Sequence, residues 1–133
     1  NPDPHPAPPP LAYGKFPNIT ATEFGGPTDP QASAYGGRVD GSALQCSLPA
    51  RISGNRPKVR VWKNGKSAIC LINDVGPWVT NDPYWVTHTR PRAESMAGTN
   101  HAGIDLTPAV HDALGIPGKP GYRTTVLDYW EFV

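Results

Sequence analysis

The tightest constraint on the fold of this chain is the run KVRVWKNGKSAICLI over residues 58–72. Residues 58–62 alternate polar and apolar side chains, the period-two pattern of a strand with one buried face. Asn64-Gly65 follows, a pair that tolerates the positive φ angles of a type I′ turn, whose twist matches the strands it joins. Residues 67–72 then return as a nearly continuous apolar run, which predicts a central strand buried on both sides.

The rest of the chain reads as short strands between turns. Residues 19–24 (ITATEF) are β-branched and alternating, residues 43–52 (ALQCSLPARI) form a strand interrupted at Pro49, and residues 123–133 (RTTVLDYWEFV) form a closing strand. Residues 25–37 are turn-rich. One short helix is predicted, with Thr107 as its cap, Pro108 in the first helical position, and an apolar face of Ala109, Val110, Ala113 and Leu114. Gly115 ends it. Five or six short strands with one helix describe a small, mainly β barrel. Residues 1–16 are expected to be a Pro-rich linker or tail, since NPDPHPAPPP favours extended polyproline geometry, and residues 17–133 a single domain.

Composition narrows the function classes. The 133 residues suffice for one domain. Pro (17) and Gly (14) are abundant while only 17% of residues are charged, which suits a turn-rich β fold. Twelve basic against eleven acidic residues leave no basic excess, so a nucleic-acid partner is not expected. No stretch approaches the roughly 18 apolar residues of a membrane span. The first residue is Asn1, not Met, and a processed or truncated product is expected. Cys46 and Cys70, an even count in a small domain, fit one disulfide in an oxidising compartment. Such a bond would close a loop of about 25 residues and contribute roughly 3 kcal/mol; the alternative is two buried free thiols. The cysteines lack neighbours at ligand spacing, and His5, His88 and His111 share no ligand pattern, so neither metal nor cofactor is expected.

Two carboxylates stand out. Asp74, in LINDVGPW, sits at the end of the apolar strand before a Gly-Pro turn, where a rigid scaffold can hold a side chain at an exposed rim. Asp105, in HAGIDLT, lies between Ile104 and Leu106, flanks that would partly bury it and favour the proton-carrying acid. The local alternatives are an Asx-turn at Asp74 and a helix-capping role at Asp105.

These segments bring a family into view. LINDVGPW resembles the NDRGPF segment of rare lipoprotein A proteins, GIDLTPAVHDALG resembles their RIIDLSRAAAEALG segment, and VDGSALQCSLPARI resembles the stretch before their LPFGT turn. HAGIDLT is also similar to the HFDLS motif of expansins. The resemblance covers residues 19–133 and implies a six-stranded double-psi β-barrel with an open carbohydrate groove, exported to the periplasm or cell envelope and acting as a monomer on peptidoglycan. It implies lytic transglycosylase-like cleavage with Asp105 as general acid/base and Asp74 as the second carboxylate; a non-catalytic, expansin-like wall-binding module is the alternative. Asp40 matches a third acidic position. Gln45 stands where the family has a His, and Val75 where it has an Arg. Gln cannot exchange protons, which favours the binding module.

Relative to that family, residues 79–100 are an insertion, placing Asp74 and Asp105 31 positions apart. The expectation is a loop lining or lidding the groove, with Tyr84 and Trp85 offering ring faces to sugars and Arg90 pairing with stem-peptide carboxylates, or else a surface insertion that its aromatics merely pin down. Trp78, just before it, is a sugar platform or a core residue. His101, four residues before Asp105, is a candidate proton carrier or a plain loop histidine.

Overall fold

A computed structural model describes residues 14–26 and 31–133. Eight strand segments, β1 (Lys15–Pro17), β2 (Thr20–Glu23), β3 (Gln45–Leu48), β4 (Lys58–Lys63), β5 (Lys66–Val75), β6 (Ile104–Leu106), β7 (Thr125–Val126) and β8 (Tyr129–Phe132), form one curled sheet. Their order is β1-β8-β4-β5-β3-β6-β2-β7. Two short helices, α1 (Tyr84–Thr87) and α2 (Pro108–Ala113), and a 3-10 turn at Arg92–Ser95 complete the described elements. The protein is mainly β, of the barrel class.

The expected hairpin lies inside the sheet. β4 and β5 pair from Lys58↔Leu71 to Lys63↔Lys66. Asn64 and Gly65 both take positive φ, 51° and 79°. β5 is not buried on both sides as expected: Ala68, Cys70 and Ile72 face the core, while Ile69 and Leu71 are about two-fifths exposed. A sheet curled around one core gives each strand a single interior face, however apolar its sequence.

Eight segments replace the expected six because two strands are each interrupted. β1 and β2 are one run of chain kinked at Asn18, whose φ is 56°. β7 and β8 are likewise separated only by Leu127 and Asp128. Phe16↔Trp130 in one ladder and Ala21↔Thr125 in the other share one offset. Between them Asn18 N donates to Asp128 O at 3.1 Å and Leu127 N to Ile19 O at 2.9 Å. The two ends of the sheet are therefore halves of one ladder, which is how it curls around its core. β1 also moves the domain start: Phe16 is buried, its ring 4.5 Å from that of Trp130. Residues 14–16 thus belong to the folded domain and not to the tail, and residues 1–13 lie outside the described residues.

Leu48, Val59, Val61, Ile72, Ile104, Leu106 and Trp130 fill the interior. Burial of an aliphatic side chain of this size stabilises by about 1.5–3 kcal/mol. Cys46 and Cys70 are among them as free thiols, so the expected disulfide is not formed. Cys46 pairs with Ile72 across the parallel β3–β5 ladder, so Cys70 stands diagonal to it. The Cys70 thiol donates to Val59 O at 3.4 Å. Burial, and then the neighbouring Cys70, push the Cys46 thiol well above its ordinary pKa. Both serve as small core side chains.

The expected inserted loop is a packed element. Tyr84 and Trp85 of α1 are buried. The Tyr84 hydroxyl donates to Gly103 O at 2.8 Å and accepts from Trp130 Nε1 at 3.0 Å. A Cβ at Gly103 would come within 2.7 Å of Pro91 Cγ, so only glycine allows this approach. Buried Asp82 accepts from Arg92 N at 2.7 Å, closing the segment on itself.

α2 begins at Pro108, and Gly115, with φ 72°, follows its end. Thr107 does not cap it through its side chain; its hydroxyl donates to Ala43 O at 2.7 Å, tying the helix start to β3. Below α2 lies a buried charged cluster. The Glu23 carboxylate accepts from Arg123 Nε at 2.9 Å and lies 3.0 Å from His111 Nδ1. Arg123 continues to Asp112 at 2.6 Å.

Candidate functional site

The site is built on a row of residues running across four neighbouring strands. Ser47 of β3 pairs with Asp74 of β5 on one side and with Asp105 of β6 on the other, and Asp105 pairs with Thr22 of β2. Asp105 alternates with inward-facing Ile104 and Leu106, so it projects from the outer face. In β5 the alternation alone would turn Asp74 inward with Cys70 and Ile72. A register shift between Cys46 and Ser47 inserts one extra residue, Asn73, into β5 and brings Asp74 beside Ser47. Bulges of this kind re-aim a side chain. Two strand spacings of about 4.8 Å put the two aspartate α-carbons roughly 10 Å apart.

The two carboxylates have different partners. Asp74 is buried and accepts N–H donors: Ala34 N at 2.9 Å on one oxygen and Gln31 Nε2 on the other. Asp105 is half-buried and accepts from hydroxyls: Thr22 Oγ1 on Oδ1, and Ser47 Oγ at 3.4 Å on Oδ2. An N–H can only donate, whereas a hydroxyl donates or accepts. Asp74 therefore meets fixed donors, whereas Asp105 meets hydroxyls.

Both carboxylates line one polar groove of about 320 Å³, with Thr22, Gln31, Thr80 and Asn100. Trp78 stands at its rim. Its φ is 52° and its side chain is largely in solvent, with 60% of the residue exposed. A large indole left in water in an unfavourable backbone region gains nothing from core packing; strained residues of this kind collect at binding sites.

Residues 17–99 match a family described as "Domain of unknown function (DUF8814)". The chain belongs to this family. The matched part of the DUF8814 chain takes in Thr22, Ser47, Asp74 and nearly all of the 79–100 segment and ends before Asp105. No curated protein matches the chain. Among solved structures the DUF8814 chain is similar to the Streptomyces papain inhibitor (SPI), with TM-score 0.53 and 18% identity over 90% of this chain and 94% of that one. At that identity the likeness is one of fold.

Of the site residues expected from sequence, the DUF8814 structure brings Asp74, Asp105 and Trp78 together and places the others elsewhere. Tyr84 and Trp85 are core residues with no ring face for a sugar. Arg90 is a staple: it pairs with Glu94 at 2.6 Å, which raises its pKa further, and donates to Pro17 O and Asn18 O at 2.7 Å each. Asp40 forms an Asx-turn, accepting from the Ser42 hydroxyl at 2.6 Å and amide at 2.9 Å; these bonds, the hydroxyl's first, hold its pKa below the ordinary value. Gln45 Oε1 accepts from Asp40 N and Asn73 Nδ2, both at 3.0 Å, so its amide braces the bulge. His101 is exposed, its Nδ1 3.1 Å from Ala93 O, and does not line the groove.

Sequence reading missed Thr22, Gln31, Ser47 and Asn100. Strand pairing brings in Thr22 and Ser47, and loops bring in Gln31 and Asn100; the one local signal, Thr22 in an alternating strand, marks a face and not a partner.

Proposed function

We propose that this groove grips a glycan strand of a cell-wall polysaccharide, peptidoglycan in the first place, and that Asp105 cuts it by lytic transglycosylation. On this reading the domain is a double-psi β-barrel of the rare lipoprotein A type, exported to the periplasm or cell envelope and active as a monomer. The observation that carries it is the shared groove: two carboxylates from distant segments face the same polar cleft beneath an exposed indole.

The chemistry follows from the partners described above. Protonated Asp105 gives its proton to the glycosidic oxygen as the bond from that oxygen to the anomeric carbon breaks. The sugar's 6-hydroxyl attacks the anomeric carbon and returns its proton to Asp105, leaving a 1,6-anhydro end with no water consumed. The Asp74 carboxylate, which accepts from Gln31 and Ala34, opposes the positive charge that develops at the anomeric carbon. Trp78 stacks on a flanking ring.

Purified peptidoglycan sacculi incubated with the chain should yield anhydro-sugar ends by mass spectrometry, and Asp105→Asn should release none while still sedimenting with sacculi. Sedimentation without cleavage by the unmodified chain converts the reading to a non-catalytic wall-binding module, which the structural use of the Gln45 amide favours. Absence of both overturns the glycan reading. The fold likeness to a papain inhibitor favours a second reading, a cysteine-protease inhibitor. Stoichiometric loss of papain activity on titration with the chain, without sacculus binding, would establish it instead.

A further inference from the structure

A chain of hydrogen bonds with fixed polarity ends on Asp105. Its source is the backbone amide of Ala102, which donates to Asn100 Oδ1 at 3.1 Å. A backbone N–H only donates, so the oxygen of the Asn100 side chain must face it and the nitrogen must face the other way. That nitrogen donates to Thr22 Oγ1 at 3.2 Å. With a lone pair taken by Asn100, the Thr22 hydroxyl directs its one proton to Asp105 Oδ1. The first two steps leave a single choice; at Thr22 the hydroxyl keeps a second lone pair, and its proton goes to Oδ1 because that is the acceptor set against it.

We infer that Asn100 and Thr22 are positioning residues that lock Asp105 Oδ1 as an acceptor and so confine the transferable proton to Oδ2. That oxygen faces Ser47 Oγ at 3.4 Å. It also faces Gly76, where even a Cβ would stand 3.6 Å from both Oδ2 and Ser47 Oγ. Ser47 is a hydroxyl whose rotor can answer either state of Oδ2, accepting when the oxygen is protonated and donating when it is not. Gly76 sets no side chain against Oδ2. The 79–100 segment thus has a role its packing alone does not explain: its last residue sets which oxygen of the acid is active.

The titratable groups on the elements packed around β6 do not substitute for this relay. Asp74 lies beyond Ser47 and is held by Gln31 and Ala34. Cys46 is a buried thiol of the core. Glu23 turns to Arg123 and His111, and Asp112 to Arg123.

The inference rests on Asp105 as the proton carrier of the proposed reaction, but its test separates the two. In the full chain labelled with ¹³C-aspartate, the Asp105 carboxyl resonance is followed against pH in unmodified protein, Thr22→Val, Thr22→Ser and Asn100→Ala. Loss of the locked donor should move the Asp105 titration to higher pH in Thr22→Val and, less far, in Asn100→Ala, with Thr22→Ser restoring the unmodified curve. Asn100 is exposed, so its variant carries the test if Thr22→Val does not fold. With sacculi as substrate, Thr22→Val should be about tenfold slower and its pH profile displaced in the same direction, as expected for one charge-assisted hydrogen bond. Coincident titration curves in all four proteins overturn the relay whether or not sacculi are cut. Displaced curves with intact sacculi keep the relay and remove the reaction.

Discussion

Asp74 lies beside Ser47 because β5 carries one residue more than β3 between the pairings Cys46↔Ile72 and Ser47↔Asp74. The extra residue, Asn73, is turned toward the 31–38 loop: its amide donates to Arg38 O at 3.2 Å, and its carbonyl accepts from the Ser33 hydroxyl. The bulge and the loop brace each other, and Asp74 closes the arrangement through Gln31 and Ala34. The site carboxylate is therefore also a structural anchor.

Asp74→Ala should accordingly lower stability. It leaves the Ala34 amide and the Gln31 side chain without their acceptor, a loss of about 1–3 kcal/mol. Asp105→Asn should cost less than about 1 kcal/mol, because the amide oxygen can go on accepting from Thr22 while its NH2 faces Ser47, whose hydroxyl can turn to accept. Urea denaturation midpoints at constant slope give both values. An Asp74→Ala protein as stable as the original would remove Asp74 from the loop's support.

Trp78 should show the opposite profile. Its side chain is mostly in solvent and its φ is positive, so Trp78→Gly relieves the backbone and leaves stability within about 0.5 kcal/mol or raises it. Sacculus binding should fall about tenfold, the equivalent of one lost aromatic stacking contact. Sedimentation assays across a range of sacculus concentrations measure this, and unchanged binding would exclude the indole as a sugar platform.

The Glu23–His111–Arg123 cluster predicts an acid-side loss of stability. Burial holds the His111 pKa below its ordinary 6.5, with the Glu23 charge opposing that shift and Arg123 adding to it. In the unfolded chain the imidazole takes up a proton near its ordinary value, while in the folded chain it does so only at lower pH. Between the two the unfolded state binds more protons, so the contribution is complete above about pH 6.5 and is lost as pH falls through the folded value. Melting temperatures recorded from about pH 7.5 to about pH 5 should decline, and His111→Gln should flatten that part of the curve. An unchanged slope in the variant would assign the acid loss to carboxylates alone.

Thiol chemistry checks the core. With Cys46 and Cys70 free and buried, a thiol reagent should label neither in native buffer and both in denaturant without a reductant. Labelling that requires prior reduction would mean that the pair is bonded.

The local architecture was legible wherever one segment carried its own signal. The Asn64-Gly65 hairpin, the strand at Thr20–Glu23 and the start of α2 at Pro108 follow from turn chemistry, alternation and the preference of proline for the first helical position. Asp74 and Asp105 were legible as strand residues, Asp74 next to the end of β5 and Asp105 at the centre of β6. What escaped depended on partners distant in sequence. The pattern around Tyr84 and Trp85 is the same for a sugar-binding loop and for a core anchor, and only contact with Gly103 and Trp130 decides it. The bulge at Asn73 leaves no mark in β5 itself; it appears only against β3. Thr22 and Ser47 look like ordinary strand hydroxyls until the pairing of β2, β3 and β6 places both on one aspartate.

The ladder shared by the first and last strands has a consequence for assembly. A sheet whose first and last strands pair with each other leaves, among the described residues, the short outer sides of β1 and β7 as its edges for a foreign strand to build on. To exchange a strand with a neighbour, the molecule must first unzip Phe16 from Trp130 and Ala21 from Thr125, opening the barrel and its aromatic interior in one event. Resistance to strand swapping and stability of the whole domain are, in this fold, the same quantity.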